Sequence, residues 1–246
     1  MRGIRIATEL EFKIEENVPL SFSEVVFDYR VVQAHKDKNY LEVVVCVLPI
    51  KVATTYADIL KAAELIPLSL GIQSQAIAQS IIKEGDARAI LILNLDKTTA
   101  GFYIVSEGVV HFSSTIARGS QSLFTHFSPD ARGMVNKDEE GKKHLPEPFQ
   151  PEAAGVFKDT IKKFISYWDT YKGNTEGKVI EKVILCGDGA YNQDFLNYIS
   201  SGTGVLTDTA NVWINAFSFN DHIPEIPFEK SLLFAEASGL ALPIKE

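Results

Sequence analysis

The stretch Ala89–Val105, AILILNLDKTTAGFYIV, decides the fold. Ile90 to Leu95 is apolar at both parities, and so is Phe102 to Val105. A strand that is apolar on both faces belongs in the middle of a sheet covered on two sides. The runs meet at a short polar tip, Asn94-Leu95-Asp96-Lys97-Thr98-Thr99, which reads as a tight β-hairpin. Such a tip has one chemical use beyond turning the chain. Backbone N–H groups of a small-residue loop can approach phosphates, and a carboxylate can hold a magnesium ion or its waters. Thr98 and Thr99 offer hydroxyls and Asp96 a carboxylate, but the nearest glycine is Gly101, outside the tip. An ordinary surface hairpin accounts for the same residues.

About ninety residues on, Val183-Ile184-Leu185-Cys186 runs into Gly187-Asp188-Gly189-Ala190. A buried strand ending in G-x-G-A and opening a helix brings backbone close to whatever lies above it, and a helix N-terminus favours an anion or an electron-rich ring edge. The alternative is a plain strand-to-helix turn whose glycines take positive φ. Paired with a phosphate-type hairpin upstream, the functional reading gains.

Outward from these two points the chain is mixed. Ile6, Leu10, Ile14 and Val18 recur every four residues among glutamates, an amphipathic helix ended by Pro19. Phe27–Gln33 and Leu41–Leu48 read as a strand pair joined by HKDKN. Lys51–Leu65 reads as a helix with Val52, Tyr56, Ile59, Leu60 and Ala63 on one side, stopped by Pro67. A short strand at Leu68–Ile72 and a helix at Ser74–Lys83 lead into the hairpin. Val109–Ser113 adds a third antiparallel strand, and Ser120–Phe127 a short helix with Ser120 as N-cap. Ser128–Pro151, rich in Pro, Gly and charge, reads as a surface loop. Beyond it come a helix at Glu152–Lys172, strands at Val179–Leu185 and Val205–Leu206, a helix at Gln193–Ser200 and a closing helix at Glu229–Leu240. Strand pairs followed by alternating helices and strands mean α/β or α+β with a partly antiparallel sheet.

Bulk properties exclude several classes. The 246 residues carry a formal net charge of −8 and no Lys/Arg cluster, which disfavours nucleic acid as a partner. Cys46 and Cys186 each lie in an apolar run and read as buried thiols. No run approaches the roughly 20 apolar residues of a membrane span. His35, His111, His126, His144 and His222 are dispersed without metal-ligand spacing, and no Ser sits in a nucleophile elbow. No metal site and no catalytic residue is therefore assigned.

These pieces in this order resemble the actin-like ATPase superfamily, and within it the type IV pilus assembly protein PilM family, with the cell-division protein FtsA a more distant relative. ELEFKIEENVPLSFSEVVFDYRVV is similar to that family's helix, its Pro, and the strand that follows. ILILNLDKTTAGFYIV falls where the second phosphate loop is expected, VILCGDGAYNQDFLNYI at the adenosine motif, and EASGLAL at the closing helix. The resemblance implies an actin-like, ribonuclease-H-like domain over 85–246 with its loop at 128–151. It also implies a small strand–helix subdomain of the IC type over 1–70, and a remnant of subdomain IA with the connecting helix over 71–84. Relative to the family, the chain opens at the middle helix, without the first phosphate loop and most of subdomain IA.

The departures set the functional expectation. The family's second phosphate loop reads Asp–apolar–Gly before its threonines, whereas here the aligned residues are Asn94-Leu95-Asp96. Taking Asp96 as the family aspartate puts Thr98 where glycine should be. The Glu/Lys pair of the IIB helix has only Glu139, Glu140 and Lys142 as candidates. Asn94, Asp96, Lys97, Thr98, Thr99, Gly187, Asp188, Gly189 and Ala190 would thus form a degenerate nucleotide site, requiring no cofactor. The resemblance implies a cytoplasmic scaffold at the inner face of the membrane. It would dock the short cytoplasmic tail of a bitopic, PilN-like platform protein in pilus assembly or type II secretion, with self-association as a further option. The alternative is a working ATP-binding protein with magnesium, either an ATPase or a division-type filament protein.

Overall fold

A computed structural model describes residues 2–35, 40–124, 150–171, 173–174, 177–218, 220, 222 and 224–243. The expected loop at 128–151, except Gln150 and Pro151, lies outside them, as do Glu139, Glu140, Lys142, His126 and His144. The chain divides into two compact units, Met1–Ile72 and Gln73–Glu246.

The first unit holds α1 (Arg2–Asn17), an antiparallel pair β1 (Val25–His35) and β2 (Tyr40–Pro49), and α2 (Ile50–Ala62). Leu10 and Ile14 of α1 are buried, as their i, i+4 spacing requires. Ser21 and Glu24 form a capping box on the short turn that leads into β1. Val25 pairs with Pro49 and Phe27 with Val47 in a register carried to Val31–Val43, where a bulge shifts it.

One expectation for this unit is corrected. Leu68–Ile72 forms no strand, because β1 and β2 pair only with each other and a strand requires a partner to take its backbone hydrogen bonds. The helix forms as expected, as α2, and of its residues Ala53 is buried while Val52, Tyr56 and Ile59 are 39%, 59% and 60% exposed. A two-stranded ribbon is about as wide as one helix, so it covers one stripe of α2 and leaves the other in solvent.

The second unit is built on five strands in the order β5-β4-β3-β6-β7. These are β3 (Ala89–Leu95), β4 (Ala100–Ser106), β5 (Val109–Ile116), β6 (Ile180–Gly187) and β7 (Leu206–Thr209). β3 pairs antiparallel with β4 and parallel with β6, and it is buried at every position, as is β4. Layers on both faces explain this. Adjacent residues on a strand point to opposite sides. Phe102 meets Phe164 of α5 (Pro151–Thr170), with ring centroids 5.1 Å apart, while the Tyr103 hydroxyl donates to Gln73 of α3 (Gln73–Ile81) over 3.2 Å.

On the α5 side, Phe157 packs edge-on against Phe195 of α6 (Gln193–Thr203) at 5.9 Å, both fully buried. On the other side, α3 lies against the final helix. The expected single helix over Glu229–Leu240 is broken into α7 (Phe228–Ser231), a 3₁₀ turn Leu232–Phe234 and α8 (Ala235–Ala241). Gly239 of α8 lies so near the Ala76 backbone that any side chain there would clash. The helix after β5 is shorter than expected, α4 (Ser120–Leu123), and its N-cap is Gly119 rather than Ser120.

Candidate functional site

The parallel register sets Leu95 beside Gly187 and Asn94 beside Cys186, so the hairpin tip and the G-x-G-A turn emerge side by side at one end of the sheet. The tip is a tight turn in which Asp96 N–H donates to the Thr99 carbonyl over 2.9 Å. Thr99 Oγ1 donates to Asp96 Oδ2 over 3.3 Å. The neighbouring turn is tied to it, since Asp188 N–H donates to the Leu95 carbonyl over 2.6 Å. Gly187 has φ +86° and Gly189 φ +75°, backbone that L side chains avoid. At Gly187 a Cβ would also strike the Leu95 carbonyl oxygen and come within 2.9 Å of Asn94 Oδ1.

A third segment closes on both. Ser120 N–H donates to the Asp96 carbonyl over 2.9 Å and Gln121 N–H to the Lys97 carbonyl over 3.1 Å. The Ser120 hydroxyl donates to Asp188 Oδ2 over 2.8 Å. A Cβ on Gly189 would lie 2.6 Å from Phe124 Cε2. The first turn of α6 is capped within the chain, with Phe195 N–H donating to Asn192 Oδ1 over 2.9 Å.

Every predicted site residue therefore lies in one locality. Asn94 is buried, with its Oδ1 accepting from Cys186 Sγ over 3.4 Å. Asp96, Lys97 and Thr98 are exposed, Thr99 and Asp188 are half-buried, and Gly187, Gly189 and Ala190 are buried. From the other face of the sheet come groups the sequence did not mark. Gln73 Nε2 donates to Glu236 Oε2 over 2.9 Å. Asp96, Asn94 and Glu236 rim a cavity of about 50 Å³ floored by Ile77, Leu232 and Ala235, room for little more than a water or two. Gln73 and Glu236 are 163 positions apart, and no local pattern announces that they meet.

The site's electrostatics are acidic. Asp96 is exposed as a residue, but partial burial of its carboxyl pushes it above its usual range, opposed by the Thr99 hydrogen bond and reinforced by Glu236 and Asp188. Burial also raises Asp188, opposed by the Ser120 hydroxyl and by Lys97. Tyr103 is pushed up to about 12, first by burial and then by Cys186 and Asp96. Cys186 is raised by burial and by Asp96, so it stays a thiol and not a nucleophile. Among the described residues no three His, Cys, Asp or Glu side chains converge as metal ligands would.

The family model described as "Type IV pilus assembly protein PilM" matches residues 1–245. Among solved structures, a "PilM-PilN type IV pilus biogenesis complex" aligns with a TM-score of 0.69 at 15% identity, covering 98% of this chain and 72% of that one. The MreB 5 protein of Spiroplasma citri bound to AMPPNP aligns at 0.46 with 13% identity, over 78% of this chain and 64% of that one. The ethanolamine utilization protein EutJ from Carboxydothermus hydrogenoformans aligns at 0.41 with 13% identity, over 75% and 59%. No curated protein matches the chain. The fold is actin-like, with the five-stranded mixed sheet at its centre.

Proposed function

The chain belongs to the type IV pilus assembly protein PilM family, and from that premise we propose that it acts as a docking scaffold in pilus assembly and does not turn over nucleotide. In this reading it binds the short cytoplasmic tail of a bitopic, PilN-like protein at the inner face of the cytoplasmic membrane. No helix among the described residues is long and apolar enough to cross a membrane, and the reading assigns attachment to the partner.

The observation that carries the second half of the proposal is the set of carboxylates at the hairpin tip. Asp188 and Glu236 both act on Asp96 in the sense that disfavours its charge. A triphosphate brought to this tip meets like charge, which burial strengthens. Asn94, at the place where the family carries its aspartate, is neutral and engaged with Cys186. The Asp96 and Asp188 N–H groups, which a phosphate would need, are spent on the Thr99 and Leu95 carbonyls. With those N–H groups spent, the tip does not cradle a triphosphate. These residues suit a cross-braced turn that keeps the end of the sheet rigid. Lys97 and Ser120 are the groups that offset the negative charge of Asp188.

Titration calorimetry of the full chain with MgATP tests this. The expected result is no binding heat at micromolar nucleotide and no phosphate release above background. Micromolar binding, strengthened by Asn94→Asp, would overturn the reading in favour of a functioning ATP-binding protein.

A further inference from the structure

The cavity at the hairpin tip is a notch of acceptors. Asn94, Asp96 and Glu236 line it together with Gly187, Leu233 and the apolar floor of Ile77, Leu232 and Ala235. Asn94 is 5% exposed, and its Oδ1 stands 2.9 Å from where a Cβ on Gly187 would lie. The hydrogen bond that this Oδ1 accepts comes from the Cys186 thiol at 3.4 Å, a weak donor that leaves the second lone pair open. Asp96 Oδ2 accepts from Thr99, and Glu236 Oε2 accepts from Gln73. Asp96 Oδ1 and Glu236 Oε1 have no donor among the described residues. The residues around this one space therefore hold three oxygens with unused acceptor capacity, a costly state for a buried carboxamide.

Charge points the same way. The charged groups that act on Asp96 are Glu236 and Asp188, both carboxylates, while Lys97 acts on Asp188. A cation in the notch is attracted by all of these carboxylates. Size then selects among cations. The cavity is about 50 Å³, room for a water or two. A magnesium ion dehydrates reluctantly and keeps several waters, and a guanidinium is a wide planar fork. A primary ammonium is compact and brings three donors, one for each open acceptor. Leu233, which lines the notch and is 52% exposed, offers an apolar path for an alkyl stem.

We propose that the notch binds a primary ammonium group on an alkyl stem, the end of a lysine side chain or of a free alkylamine. The inference rests on the reading above that the tip holds no nucleotide, and it names what the tip takes instead.

NMR titration of the full chain with n-butylammonium chloride tests it. The expected result is saturable, millimolar binding that shifts the Asp96 and Asp188 amide signals. Asp96→Asn and Glu236→Gln each weaken it by about tenfold or more, the scale of a lost hydrogen bond to a charged group. Asp159→Asn, which removes an exposed carboxylate of α5, leaves it unchanged. The tripeptide acetyl-Ala-Lys-Ala-amide binds as n-butylammonium does, and its arginine counterpart binds about tenfold more weakly. A lysine tripeptide that fails where n-butylammonium binds overturns the lysine source and leaves free alkylamines. Equal binding of the arginine tripeptide overturns the selectivity for ammonium. No saturation, an equal loss in Asp159→Asn, or the same shifts from magnesium chloride alone overturns the proposal. Micromolar MgATP binding would sink the reading on which it rests, whereas a chain blind to both MgATP and n-butylammonium sinks this inference alone.

Discussion

Gly187→Ala and Gly85→Ala form a matched pair that asks whether the G-x-G-A turn serves the sheet or a ligand. Both glycines lie in the second unit with positive φ, +86° and +80°. An alanine in left-handed backbone costs roughly 1–2 kcal/mol, and that cost is common to both. The surroundings differ. A Cβ at Gly85 meets nothing within 4 Å, whereas at Gly187 it runs into the Leu95 carbonyl of the neighbouring strand. Backbone cannot swing aside as a flexible side chain can, so Gly187→Ala adds an overpacking cost of about 1–3 kcal/mol. For a unit of this size 1 kcal/mol lowers the melting temperature by about 2–4 °C. Gly85→Ala is thus expected to melt about 2–8 °C below wild type, and Gly187→Ala about 4–20 °C below. Scanning calorimetry without nucleotide reads both directly. Equal losses in the two variants would refute the reasoning, since they would mean that the β3–β6 junction tolerates a side chain.

Further outcomes follow from the acidic tip. The folded Asp96 carboxyl titrates above its unfolded value of about 3.9. Its contribution to stability is therefore full below that pH and is lost as pH rises through the raised folded value. Asp96→Asn is accordingly expected to stabilise the protein at neutral pH and to flatten the pH dependence between neutral and about pH 4, measured by urea unfolding. A variant less stable than wild type at neutral pH would contradict this. Ser120 is fully buried and donates to the half-buried Asp188 carboxylate, so Ser120→Ala should cost about 2 kcal/mol, the scale of a hydrogen bond to a charged group. The same measurement on Ser122→Ala, whose hydroxyl donates to the neutral Gly119 carbonyl, should show about half that loss.

How much of this was legible in the sequence depends on where each signal sits. The two-sided apolarity of β3 and β4 placed them at the centre of the sheet, and both are buried throughout. The G-x-G-A glycines announced positive φ, and Gly187 and Gly189 have it. The stripe Val52, Tyr56 and Ile59 located a helix, and its exposure was not legible because periodicity identifies a helix face without saying whether anything covers it. Leu68–Ile72 misled, since a short apolar run cannot supply the neighbouring strand that a ladder needs. Of the site, the tip and the turn were visible as local motifs. Tyr103, Gln73 and Glu236 were not, because only the packing of α3 and α8 over the sheet brings them together. Ser120 was noticed as a helix cap, and its structural use is a bond to Asp188.

The central claim, docking without nucleotide turnover, is tested most directly by one titration. The full chain is titrated with a synthetic peptide carrying the N-terminal cytoplasmic sequence of a PilN-like protein from the same organism, with and without MgATP. The expected result is saturable binding whose dissociation constant is the same in both conditions. Binding that appears only with MgATP, or no binding in either condition, would contradict it.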